Sequence, residues 1–114
     1  MTKDELMQNC LAECLRCYQT CLKTISYCLE KGGKHAAPEH IKQLMDCAEI
    51  CQTSANFMLR GSTHHASVCT ACALICRVCG VSCEEFKDSD ETMSGCADAC
   101  FSCADACEAM TASA

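Results

Sequence analysis

Cys69, Cys72, Cys76, Cys79 and Cys83 follow one another in steps of three, four, three and four. That rhythm is the period of one face of an α-helix, so five thiols stand in line along a single helix. Three other stretches keep the same beat: Cys10, Cys14, Cys17, Cys21 and Cys28; Cys47 and Cys51; and Cys96, Cys100, Cys103 and Cys107. The pattern predicts an all-α fold, an antiparallel up-down-up-down four-helix bundle with a cysteine-lined core. Residues 1–114 form one domain in this reading.

Helices are expected over about 3–31, 38–60, 63–86 and 90–111. Thr2-x-x-Glu5 is a capping-box pattern that starts the first, and Gly32-Gly33 stops it. Pro38 suits the first turn of the second, with Gly61 as its stop. Ser62 or Thr63 caps the third. Asp88-x-x-Glu91 resembles a second capping box, which starts the fourth near Ser89 or Asp90. The short connections force neighbouring helices to run antiparallel. A second apolar stripe (Leu11, Leu15, Tyr18, Leu22, Leu29, with Val68, Ile75 and Val78 on helix three) seals the seams or meets another copy. Gly80, inside a helix, is read as a point of close packing.

Sixteen cysteines in 114 residues would mark a disulfide scaffold in a small secreted protein. The spacing is wrong for that. Side chains three or four apart on a helix have Cβ atoms about 5 to 6 Å apart, against about 3.8 Å in a disulfide. The polar start Met1-Thr2-Lys3-Asp4-Glu5 shows no apolar export segment. The expectation is free thiols in a reducing cytoplasm. A net charge of −6 with scattered basic residues excludes nucleic acid as a partner, and no stretch is read as apolar for long enough to cross a membrane.

One buried cysteine is a small hydrophobe. Sixteen, smaller than leucine and holding most of the seam, underfill a bundle, and voids cost stability. Metal fills the space more sensibly. Soft thiolates favour Cu(I), Zn(II) and iron–sulfur clusters. Four Zn(II) at four thiolates each would leave roughly eight negative charges buried, with no lysine or arginine on the stripes to offset them. One Cu(I) per thiolate leaves the core near neutral. A near-linear S–Cu–S unit needs sulfurs about 4.5 Å apart, which thiols one helical turn apart can reach. The Cys-x-x-Cys pairs sit in uninterrupted helix and not in cluster-wrapping loops, and a thioredoxin-like site would need a βαβ context.

Four cysteine-lined helices with repeated Cys-x-x-x-Cys and Cys-x-x-Cys steps resemble the bacterial copper storage proteins of the cytosolic type, over essentially the whole chain. The resemblance implies a bundle that stores several Cu(I) ions on Cys10, Cys14, Cys17, Cys21, Cys28, Cys47, Cys51, Cys69, Cys72, Cys76, Cys79, Cys83, Cys96, Cys100, Cys103 and Cys107. It also implies a homo-oligomer, often a tetramer, with His and Met near one open end for metal entry. A copper donor or acceptor protein is a further partner. The alternatives are a zinc or general soft-metal sink, and a thiol redox protein; no catalytic constellation is seen, and the chain is not read as an enzyme. Two rings are candidate ports. Met7, Met58, His65 and Met110 gather at the end near the termini, and His40 and Met93 at the other. The choice between them stays open. His35 and His64 fall off the stripes and are read as surface residues.

Overall fold

The computed structural model describes residues 1–86 and 90–112. The helices are α1 (Lys3–Lys31), α2 (Pro38–Leu59), α3 (His65–Glu84) and α4 (Glu91–Ala112), with a 3₁₀ turn over Gly33–Ala36. No strand occurs among the described residues. Each helix packs on the next and α4 closes back on α1, giving a square antiparallel bundle of 43 × 22 × 17 Å.

The chain's own chemistry sets the helix ends. At the start of α1 the Glu5 N–H donates to Thr2 Oγ1 (3.1 Å) and the Thr2 N–H to Glu5 Oε1 (2.9 Å), so two otherwise unpaired donors are satisfied. At its end Gly32 takes φ +73° and its N–H donates to the Cys28 carbonyl, a conformation that costs glycine little. Pro38 opens α2, as its missing N–H allows. Helix α3 departs from expectation. It starts at His65, two residues late, and ends at Glu84, leaving Phe86 outside the helix. Ser62 does not cap it; the Ser62 hydroxyl accepts from the His64 N–H in the preceding turn. Asp88 and Ser89, part of the expected capping box of α4, lie outside the described residues. The capping bonds there come from Asp90, whose Oδ1 accepts from the Thr92 and Met93 N–H groups.

Two further expectations are adjusted. Leu11, Tyr18 and Ile75 do pack on the core, but Leu15, Leu22, Leu29 and Val78 stand exposed, so the second stripe seals only in part. And α3 is long and apolar enough for a membrane span, with a mean hydropathy of 1.8. Cysteine scores as apolar on that scale; in the bundle these thiols face inward, and the buried positions of α3 are its cysteine stripe with Ala73 and Gly80. Gly80 meets the expected close approach: a Cβ built there would fall 2.6 to 2.9 Å from the Phe101 ring of α4.

Candidate metal centre

All sixteen cysteines are free, and each is 0% exposed. The helices bring them into register. Cys17 touches Cys47 across α1–α2 (3.6 Å), Cys47 touches Cys76 across α2–α3 (3.6 Å), and Cys100 on α4 reaches Cys17 (3.9 Å). One turn along, Cys51 meets Cys72 and Cys103 (3.8 Å each), and Cys103 meets Cys14 (3.6 Å). Cys10 and Cys107 follow at 3.6 Å. Sulfur separations of 3.5 to 4.0 Å are van der Waals contacts, far from the ~2.05 Å of a disulfide.

This register divides the interior into levels of four side chains, one from each helix. Cys14, Cys51, Cys72 and Cys103 fill one level, and Cys17, Cys47, Cys76 and Cys100 the next. On the side of the chain termini the same spacing sets Ser54 with Cys10, Cys69 and Cys107, then Met7, Met58, His65 and Met110. On the other side it sets Leu44 with Cys21, Cys79 and Cys96, then Cys83 with His40 and Met93, which Cys28 touches, Thr24 lying between Cys21 and Cys28 on α1. In the four inner levels the only non-cysteine positions are Ser54 and Leu44, both on α2.

Twelve of the sixteen sulfurs group as ligand sets, and Cys28, Cys79, Cys83 and Cys96 fall in none of them. Cys10, Cys69 and Cys107 form a triad. Quartets follow: Cys14, Cys72, Cys103, Cys107; Cys51, Cys72, Cys76, Cys103; Cys17, Cys47, Cys51, Cys76; and Cys17, Cys21, Cys47, Cys100. Within each set the sulfurs lie within 4.8 Å of one another, the span an S–Cu–S unit requires (about 4.5 Å from two ~2.3 Å bonds). Each quartet shares two sulfurs with the next, while alternate quartets, such as Cys14, Cys72, Cys103, Cys107 and Cys17, Cys47, Cys51, Cys76, share none. Ions that use all four sulfurs of adjacent sets would share two of them.

Electrostatics follow from burial. Burial pushes the Cys28 thiol up to about 11. Cys51 is raised by its proton bond to Cys103, and Cys100 by its bond to Cys17, with burial adding in both. Others are shifted the opposite way, Cys17 by its bond to Cys100 and Cys72 by its bond to Cys103, so protons are shared unevenly along the empty column, and those on the raised thiols must leave when a cation binds.

The two candidate rings differ. Met58 and Met110 are buried and Met7 and His65 half-buried; His65 Nδ1 donates to the Ser62 carbonyl (2.8 Å), which leaves Nε2 with its lone pair. At the other end His40 Nε2 lies 3.5 Å from Cys28 Sγ, and Cys28 Sγ lies 3.6 Å from Met93 Sδ. Burial lowers the His40 pKa and keeps the ring neutral. Ser82 Oγ sits 2.7 Å from His40 Nδ1; with a metal on Nε2 it accepts the ring proton held on Nδ1. A cleft of about 630 Å³, lined by His40, Gln43, Arg77, Ser82, Glu85 and Phe86 among others, opens onto this histidine. His35 is not a simple surface residue: it is half-buried, bonded to Asp90 (2.9 Å) and stacked on Phe86, which also contacts His40. Tyr27 donates to the same Asp90 (2.7 Å). His64 is exposed. Ser82, Asp90 and Tyr27 lie off the cysteine stripes and carry no pattern of their own.

The family model described as copper storage protein matches residues 3–112. No curated protein sequence matches the chain. Among solved structures, the Nmul_A1745 protein of Nitrosospira multiformis is 45% identical, covering 97% of this chain and 99% of its own, with a TM-score of 0.90. A cytosolic copper storage protein from Streptomyces lividans, carrying five coppers, is 33% identical over 96% of this chain and 95% of its own (TM-score 0.90). The Cu(I)-bound copper storage protein BsCsp3 is 31% identical over 93% and 98% (TM-score 0.85).

Proposed function

The chain belongs to the copper storage protein family, and from that membership we propose that all sixteen cysteines serve as Cu(I) ligands in one shared column. One observation carries this reading: the sixteen thiols are all fully buried, and the sulfur sets overlap from Cys10 to Cys100. A monovalent ion per thiolate keeps such an interior near neutral, whereas divalent ions at four thiolates each leave about half the charge uncompensated.

Residues 1–114 act as one storage domain and not as a catalyst in this reading. The sixteen reduced thiols suit a reducing cytoplasm. Metal enters at the His40 end, where the cleft opens onto His40 and His40 touches Cys28, itself in contact with Met93. The exposed rows Leu15, Leu22 and Leu29 on α1, and Leu74, Val78 and Val81 on α3, are surfaces for self-association into a tetramer. Anaerobic Cu(I) titration of the reduced protein tests the central claim. About one ion per cysteine is expected, from charge neutrality; saturation near four ions per chain would sink the column. Light scattering of the same sample reads the assembly, and a monomer mass would remove the tetramer.

A further inference from the structure

Ser54 is 0% exposed, and its hydroxyl oxygen has no hydrogen-bond partner. A buried hydroxyl in that state costs about 1–3 kcal/mol, so its retention in the centre of a bundle needs a reason. Its position supplies one. The helix register places Ser54 level with Cys10, Cys69 and Cys107, the one ligand set that has three members where the others have four. Those three sulfurs come from α1, α3 and α4, and Ser54 occupies the corresponding place on α2. Serine is one atom different from cysteine, yet its oxygen is a poor ligand for a soft ion. It is a good hydrogen-bond donor.

We propose that Ser54 is the built-in donor of a three-thiolate copper site. When Cu(I) enters the triad it replaces thiol protons, which leave to solvent; no electron moves. The sulfurs become thiolates, and the Ser54 O–H turns to donate to one of them. The bond that the empty protein lacks is formed only when the site is filled. Ser54 is thus a positioning residue: it compensates charge on sulfur without ligating, and it holds this level at three sulfurs. The level lies directly beside the Met7, Met58, His65 and Met110 ring, so this site is the column's terminus on that side.

The inference rests on the copper-storage reading, and the experiment separates the two. Wild type, Ser54→Ala and Ser54→Cys are titrated anaerobically with Cu(I), then challenged with a water-soluble cuprous chelator while release is followed in time. If wild type takes up only a few ions, the storage reading fails before Ser54 is at issue. With storage intact, Ser54→Ala should keep the wild-type capacity and release roughly one ion per chain about tenfold faster, the effect of losing one hydrogen bond to a charged group. Its metal-free form should melt no lower than wild type, because an unpartnered hydroxyl has been removed. Ser54→Cys adds a thiolate and should raise capacity by about one ion. Release curves for Ser54→Ala that superimpose on wild type would overturn the proposal. So would uniformly faster release of all ions together with a lower metal-free melting point, the signature of a packing role. Unchanged capacity in Ser54→Cys would show that position 54 does not face the triad.

Discussion

At the scale of single residues, position along the column decides what a substitution does. Cys76 belongs to two overlapping quartets, so Cys76→Ser removes a shared sulfur and leaves a hydroxyl that binds Cu(I) poorly. Capacity should fall by roughly one ion, since the core loses one compensating charge, while the loading rate hardly moves. Joint replacement of His40 and Met93 should do the opposite, slowing loading several-fold at nearly constant capacity. The matched control is replacement of Met7, Met58, His65 and Met110. Stopped-flow loading with copper counted at saturation checks both, and equal rates would mean that neither end gates entry. The sixteen thiols were legible in the sequence because their three-four rhythm never slips within a helix. The His40–Ser82 pair was not. Ser82 is 42 residues from His40, it precedes a stripe cysteine by one, and nothing in its spacing points across the bundle.

Among the elements, α2 and α3 show where periodicity informs and where it does not. Cys47 and Cys51 on α2 face inward as their spacing implies, and the same face carries Leu44, Ser54 and Met58, all buried. The ends of α3 read less well, because caps depend on local hydrogen bonds that a side-chain pattern does not encode. Ser62 looked like a cap and bonds the His64 N–H instead. Gly80 was legible as an oddity, while its partner Phe101 was not, since only the α3–α4 register brings the two together. Their contact gives an expectation opposite to helix propensity. Gly80→Ala gains about 1 kcal/mol of propensity but drives a methyl into a ring 2.6 Å away, and overpacking costs about 1–3 kcal/mol. Denaturant unfolding of the metal-free protein should show a net loss of about 1 kcal/mol, recovered by adding Phe101→Leu. A gain in stability would show that the ring swings aside freely.

For the molecule as a whole, the caps and the flanking side chains that do pack on the core, Leu11, Tyr18 and Ile75 among them, need no metal, so the reduced empty protein should be helical by circular dichroism. Its stability should depend on alkalinity in a definite direction. The Cys28 thiol rises from an ordinary 9.0 to about 11 in the fold, and Cys51 and Cys100 are raised too. A group held protonated by the fold contributes its full stability below the unfolded pKa and loses it as pH climbs through the folded one. The melting temperature of the empty protein should therefore fall between about pH 9 and 11, a window set by Cys28. The copper-loaded protein, whose thiols have already lost their protons, should not follow it. A flat profile for the empty protein would mean that the thiols ionise without strain.

The confinement of non-thiol residues to α2 in the inner levels has a consequence for how such a vessel is adjusted. Three helices are standard parts, each adding one sulfur to every inner level. The second is the interchangeable part: serine at one level and leucine at another set where the column narrows to three sulfurs, and in the proposed reading the histidine closer to the mouth sets how it is opened. Rewriting a single helical face at Leu44 and Ser54 would change both the holding volume and the rate of emptying. The walls that keep the bundle standing would not have to be rebuilt.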